Sequence, residues 1–336
     1  MRLDPSHDRD SLPKRAQLPR IAGTPEGSAW FWGDSDELGR LNLLTPERVR
    51  KAAQENIRTG GVVSLNLSVV EPSPPLFGRK HFAHSIKPIG GGAFDDETSY
   101  NTQASSQWDG FRHFRDPTTE RFYNGTVLDE IITEKSLAEG GPQESEKLGI
   151  DAWARRGIAG RGLLLDIYSW SQSHAHKRFE PFSKHVITVA DLKACAESQR
   201  VTFQTGDILL IRTGWLQQYN SLTIDQRNDG VTWNTMNHKC AGLEASEEMK
   251  DFLHDFYFAA AASDNPSLEA WPPESFAVSL HASMLPLWGM PIGELWNLEA
   301  LSQKCQQEKR WAFLVTSAPA NVPGGVASPP NALALF

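Results

Sequence analysis

An α/β domain is the fold class the sequence predicts, and three observations predict it. Helical and strand patterns alternate along the chain. No self-similar period of roughly 20 to 50 residues appears, and no Pro-, Gly- or Ser-rich linker divides the chain. The 336 residues are 40% apolar and 10% aromatic, enough for one large buried core. The organisation read from this is a mobile N-terminal arm over residues 1–28 and a single domain over residues 29–336.

Residues 1–28 are rich in Pro, Arg, Asp and Ser and lack hydrophobic periodicity, the composition of a mobile arm. The folded part begins at Trp30. Thr45-Pro46-Glu47 sets a cap, a proline at the first helical position and an acid in sequence, predicting a helix that runs to residue 57 and stops at Gly60-Gly61. Residues 62–70 partly alternate apolar and polar, predicting a strand that ends before Pro72. Residues 71–98 carry Pro72, Pro74, Pro75, Pro88 and the run Gly90-Gly91-Gly92, predicting a long irregular segment and a candidate lid. Further strands are predicted at 162–168 and 207–213, and helices at 151–155, 188–199, 246–256 and 298–307.

Composition excludes several functions. The 33 Lys and Arg against 41 Asp and Glu leave a net charge of −8, so no nucleic-acid partner is expected. The longest apolar runs, such as 256–262, fall far short of the roughly 20 residues that span a bilayer, and no membrane association is expected. Cys195, Cys240 and Cys305 stand far apart without a CxxC pair, which speaks against a disulfide framework. Residues 1–19 contain no apolar core of a secretory signal, and a cytoplasmic location is the expectation.

Three places could carry chemistry. In the polar run 101–113, Gln103, Gln107, Asp109 and His113 are separated by 4, 2 and 4 residues. Even separations in an extended segment put all four side chains on one face, though a water-facing amphipathic strand has the same pattern. Farther on, His281 and Glu294 sit in apolar surroundings, where buried charges need a partner. A metal or charged substrate would supply one, and a satisfied core histidine beside a loop-edge glutamate is the alternative. Asp264 and Asn265 precede Pro266 in the run that ends at Glu269. They read first as turn formers and second as the lining of a site.

Together these residues resemble the cyclase family that includes the bacterial kynurenine formamidases and isatin hydrolases. The family motif is His-x-Gly-Thr-His-x-Asp-x-Pro-x-His. Here Gln103 and Gln107 fall at its first two histidines, Ser105-Ser106 at Gly-Thr, Asp109 at the Asp, Phe111 at the Pro and His113 at the last His. His281 and Glu294 are similar to the downstream His and Glu of the second metal half-site, and the resemblance runs in order over residues 30 to 336. It implies a twisted mixed sheet or barrel-like core flanked by helices, a homodimer or homotetramer, and no nucleotide cofactor. It also implies that the first two histidines and the Asp hold one divalent ion, and that the Asp with the downstream His and Glu can hold another.

Both early imidazoles are amides in this chain. A glutamine carbonyl is a hard oxygen donor, suited to Mg²⁺ or Mn²⁺ and a weak substitute for imidazole on Zn²⁺. The expectation is therefore a reduced site, with Asp109, His281 and Glu294 holding one ion (Mn, Mg or Zn) or none. His113 and Asp109 are the catalytic candidates. Gln103 and Gln107 would donate to a substrate carbonyl, and Trp32, Phe82, Phe111 and Tyr123 would supply aromatic contacts. The function read from this is acid-base chemistry at His113 on a small aromatic or polyketide-like carbonyl compound, by hydrolysis, dehydration or ring closure. The alternatives are a metal-dependent arylformamidase acting on N-formylkynurenine and a non-catalytic small-molecule-binding protein.

Overall fold

Thirteen strands are found among the described residues, which are 2–20, 24–139 and 145–336 of a computed structural model. In chain order they are β1 (Val62–Ser64), β2 (Ala83–Gly90), β3 (Ala93–Ser99), β4 (Gln107–Asp109), β5 (Ile158–Leu165), β6 (Val186–Ile187), β7 (Ile208–Ile211), β8 (Gly242–Leu243), β9 (Ala260–Ser263), β10 (Ile292–Glu294), β11 (Ala312–Ser317), β12 (Ala327–Ser328) and β13 (Ala332–Leu335). Nine of them form one curled mixed sheet in the order β1-β13-β11-β5-β7-β9-β10-β4-β12, flanked by helices. The twisted mixed sheet implied by the resemblance is the architecture found.

The centre of the sheet, β5-β7-β9-β10, is parallel. Parallel strands covered on both faces become continuous apolar runs. That accounts for Leu163-Leu164-Leu165 and Ile208-Leu209-Leu210-Ile211, all buried. The outer pairs are antiparallel, with β11 on β5 and β4 on β10. Ligands of open parallel sheets gather outside the carboxyl ends of the strands, and Ser263 and Glu294 end β9 and β10 here.

Local signals place the helices well. Thr45 caps Pro46–Asn56 by accepting from Arg48 N. Thr188 and Ser246 do the same for Val189–Ser198 and Glu247–Asp255, and Asp151–Arg156 and Glu299–Glu308 also form. Two expectations need correction. The strand expected at 62–70 ends at Ser64, because the chain then leaves the sheet edge and Leu67 N donates to Ser106 Oγ at 2.8 Å. The segment expected to be irregular contains the antiparallel hairpin β2–β3, turned by Gly90, Gly91 and Gly92 at φ 96°, 61° and 83°. Every residue of the two strands is exposed, so no buried face imposed an alternation that a sequence pattern could reveal. Residues 2–20 of the expected arm lie against the domain. Arg15 Nε and Nη2 donate to Asp251 and Glu247 at 2.7 Å each, and Tyr257 Oη donates to Pro13 O at 2.6 Å.

Candidate active site

Strand β4 is only three residues long, and it sets two of the four polar residues. Gln107 and Asp109 are two apart and share a face, while Trp108 points the other way into the core. There Trp108 meets Trp296 edge-on at 4.7 Å and donates to Ser317 Oγ at 2.9 Å. Antiparallel pairing puts Gln107 directly opposite Glu294. Gly293, which precedes Glu294 and pairs with Trp108, is required for space: a Cβ there would stand 2.5 Å from Ala262 Cβ and 2.7 Å from Trp296 Nε1. That indole nitrogen donates to Gln107 O at 3.0 Å. Gln103 and His113 lie in the turns before and after β4, so they converge on Asp109 through chain reversal and not through a single extended face.

The amides are the first surprise. Gln103 Nε2 donates to Asp109 Oδ1 at 2.7 Å and lies 3.1 Å from His113 Nδ1. Gln107 Nε2 donates to Glu294 Oε2 at 2.8 Å and to Asp109 Oδ1 at 3.2 Å. The donors expected to meet a substrate carbonyl are spent on the protein's own carboxylates, and Gln107 is completely buried. The two glutamines hold the acids in place.

His281 enters on the short helix Leu280–Met284, capped by Ser279. Its Nδ1 is 2.7 Å from Glu269 Oε1 and its Nε2 is 3.1 Å from Glu294 Oε1. Glu269 Oε2 also accepts from Leu280 N at 2.7 Å, so one carboxylate orients the ring and ties the first turn of its helix. Glu269 is the residue that sequence reasoning left without a role. The available signal was an acid twelve residues before His281 in a segment flanked by apolar positions. Its neighbours Asp264 and Asn265 are structural: Asp264 accepts from Thr213 N, Thr213 Oγ1 and Gly214 N, and Asn265 donates to Ala241 O. Leu268 and Leu295, adjoining Glu269 and Glu294, both adopt φ 53°, backbone strain of the kind held beside functional groups.

Burial and charge tune the cluster. Burial, opposed by Asp109 and helped by His281 and Arg79, pushes the His113 imidazole below its ordinary value, favouring the neutral ring. Burial works against charge on His281 too, but its bonds to Glu269 and Glu294 outweigh it and raise that imidazole well above the usual range. Burial and then the Asp109 charge lift Glu294 to about 7, against the pull of His281.

Asp109, His113 and His281 each offer one ligand atom, all within 4.8 Å of one another. Asp109 is fully buried, and its Oδ2 has no hydrogen-bond partner; His281 Nε2 is 3.9 Å away. Gln107 Oε1 is likewise buried and unpartnered. Buried oxygens without a protein partner suit a cation, so Asp109 with the facing imidazoles fits one divalent ion. His113, the candidate for proton transfer, has a ring nitrogen within 4.8 Å of the same ligand atoms.

The site opens into a cavity of about 420 Å³. Phe77, Phe114, Trp271 and Phe276 form its apolar walls, and Arg79, His113, Glu269, His281 and Glu294 reach it. The aromatic residues expected there are placed elsewhere. Trp32, Phe111 and Tyr123 are buried in the main core, where Phe111 packs on Tyr123 at 4.6 Å and on Trp153 at 5.0 Å. Phe82 stands at the base of the hairpin against Tyr100. A second groove of about 380 Å³ lies between the arm and helix Pro46–Asn56. Its buried Asp207 is paired with Arg161 at 2.7 Å, leaving neither group free for chemistry.

Fold and site together define an α/β protein with a carboxylate- and imidazole-lined pocket at the carboxyl ends of parallel strands. Residues 63–270 match the family model described as putative cyclase, and the chain belongs to the cyclase family. A crystal structure described as a novel cyclase is 30% identical, with 92% of this chain and 99% of that one covered and a TM-score of 0.77. Isatin hydrolase A from Ralstonia solanacearum shares the fold at 15% identity, covering 86% of this chain and 95% of that one, TM-score 0.56. Isatin hydrolase A from Labrenzia aggregata, bound to benzyl benzoate, does so at 13%, covering 86% and 97%, TM-score 0.52. No curated protein matches the chain. No helix among the described residues is long and apolar enough to cross a membrane.

Proposed function

We propose that this protein is a hydrolase of small cyclic or cyclisable aromatic carbonyl compounds, amides, lactams or lactones, assisted by one divalent ion. The observation that carries this reading is the Asp109 carboxylate, fully buried with Oδ2 unpartnered beside His281 Nε2 and Glu294. Asp109, His281 and Glu294 would hold the ion, with His113 at its edge. When bound, it would polarise the substrate carbonyl and acidify a water.

The chain's own groups do the rest. Glu269 accepts the Nδ1 proton of His281, which turns the Nε2 lone pair toward Asp109 and Glu294. Gln103 and Gln107 fix the rotamers of both acids. His113, kept neutral by burial, takes the proton of the attacking water as the carbon–oxygen bond forms. It then returns that proton to the leaving nitrogen or oxygen as the scissile bond breaks. The aromatic walls exclude water and hold a flat substrate.

A second reading has its own observation. His281 is bonded at both ring nitrogens to carboxylates, and as an imidazolium it would supply the positive charge without a metal. That arrangement supports proton-transfer chemistry such as dehydration or ring closure. For assembly, a homodimer or homotetramer in the cytoplasm fits the family resemblance, and the exposed hairpin with Ile86, Ile89 and Phe94 is the surface a second copy would cover.

Metal analysis of protein purified without chelator, with Asp109→Ala as control, separates the readings. About one equivalent in the wild type and none in the variant supports the hydrolase. No metal in either removes that clause and favours the imidazolium. Turnover of isatin and N-formylkynurenine, followed by acid release, tests the reaction. Activity unchanged in His113→Ala rules out the role given to His113.

A further inference from the structure

Arg79 lines the cavity together with His113, His281 and Glu294. Among the described residues, no Lys and no other Arg lines it. Phe77 and Gly78, at φ 57° and 66°, turn the chain so that the Phe77 ring and the Arg79 guanidinium both face the pocket. The guanidinium lies over that ring, 5.2 Å from its centroid. Nη1 donates to Gln103 O, which anchors the side chain without neutralising it, and among the described residues no carboxylate forms an ion pair with it. A guanidinium presents five donors in a flat fork, and one bond to a carbonyl leaves most of that fork unspent. We propose that Arg79 is the counter-ion of a carboxylate on the ligand, so that the pocket selects aromatic carboxylates over neutral aromatic compounds of the same shape.

This rests on the hydrolase reading and deepens it by naming a ligand class. The cavity has the two halves such a ligand needs: a flat apolar surface from Phe77, Phe114, Trp271 and Phe276, and one fixed cation at its edge. Arg79 also acts electrostatically on the reacting groups, its charge lowering the proton affinity of both His113 and Glu294. All of these groups line one cavity, so a single ligand there can meet both the guanidinium and the acid cluster. A carboxylate against an arginine fork forms paired, charge-assisted bonds, which a carboxamide cannot reproduce. The carboxylate could belong to the substrate or be the one that hydrolysis releases.

Titration calorimetry with benzoate, benzamide, 2-formamidobenzoate and formanilide tests the inference on wild type, Arg79→Met and Arg79→Lys. Binding is read without turnover, so the result stands apart from whether the enzyme hydrolyses any of them. Wild type should bind each acid about tenfold or more tightly than its neutral counterpart. Arg79→Met should abolish that preference while leaving the neutral compounds unchanged, and Arg79→Lys should keep part of it. Selectivity for 2-formamidobenzoate assigns the carboxylate to the substrate, and selectivity for benzoate alone assigns it to the product. Equal affinity for acids and neutral analogues in wild type, or a preference that survives in Arg79→Met, overturns the proposal. Because Arg79→Lys retains a cation, a loss in Arg79→Met that is also complete for the neutral compounds would mark a collapsed pocket and count against a counter-ion role.

Discussion

Replacing Glu269 by Gln tests the idea that one buried carboxylate both orients His281 and closes the start of its helix. Glu269 is 2% exposed and accepts from Leu280 N at 2.7 Å, from His281 N at 3.4 Å and, on His281, from Nδ1 at 2.7 Å. A glutamine keeps the shape but has one acceptor oxygen. With that oxygen turned to Nδ1, its NH₂ faces the Leu280 N–H, donor against donor. A buried donor left unmet costs about 1–3 kcal/mol, and the lost charge assistance about 1 kcal/mol more, so roughly 3 kcal/mol of stability should go. A chain of 336 residues has an unfolding entropy near 0.7 kcal/mol/K at about 2.1 cal/mol/K per residue, which converts the loss to a fall in Tm of about 4 °C by calorimetry. Loss of the orienting partner of a metal-ligating imidazole typically costs about 10- to 100-fold in metal affinity, readable by competition with a chromophoric chelator. A variant with Tm within a degree of wild type and unchanged metal affinity would refute the reasoning, because it would show that His281 is held by something else.

Three further outcomes are expected. Burial, then the Arg40 charge, pushes His254 down from 6.5 to about 3; the unfolded chain takes up a proton below about 6.5 that the native state refuses. That stability is complete above 6.5 and lost as pH falls toward 3, at about 1.4 kcal/mol per pH unit, so urea unfolding of His254→Gln between pH 6 and 4 should lose one proton's worth of slope, and parallel slopes would disprove the assignment. The double substitution Gln103→His, Gln107→His restores the motif's imidazoles and should raise zinc affinity by about two orders of magnitude, whereas unchanged affinity would mean that the amides do not stand at ligand positions. Replacing Ile86, Ile89 and Phe94 together by Ser should lower the mass measured by light scattering if the hairpin joins two copies, and an unchanged assembly would place the interface elsewhere.

Much of the fold was legible because its signals are local. The Thr45-Pro46-Glu47 start, the Thr188 and Ser246 caps and the apolar runs of β5 and β7 each depend on a few neighbouring residues and on burial of both sheet faces. The hairpin β2–β3 and the end of β1 were not legible, since the strands of one are exposed throughout and the other is ended by a contact with Ser106, 42 residues beyond Ser64 in the chain.

For the site, sequence alone supplied the candidates: Asp109, His113, His281 and Glu294, with glutamines where the family motif has histidines. Only the tertiary structure decided which contacts those residues make. Pairing of β4 with β10 sets Gln107 opposite Glu294, and the turn before β4 brings Gln103 onto Asp109, so both amides donate to the acids. Folding of the 264–281 segment brings Glu269 onto His281, and the main core claims Phe111 and Tyr123 while Phe114 and Phe276 line the pocket. Residue types limit which bonds are possible, but which of them form depends on distances between strands far apart in the chain, and only the folded sheet sets those distances.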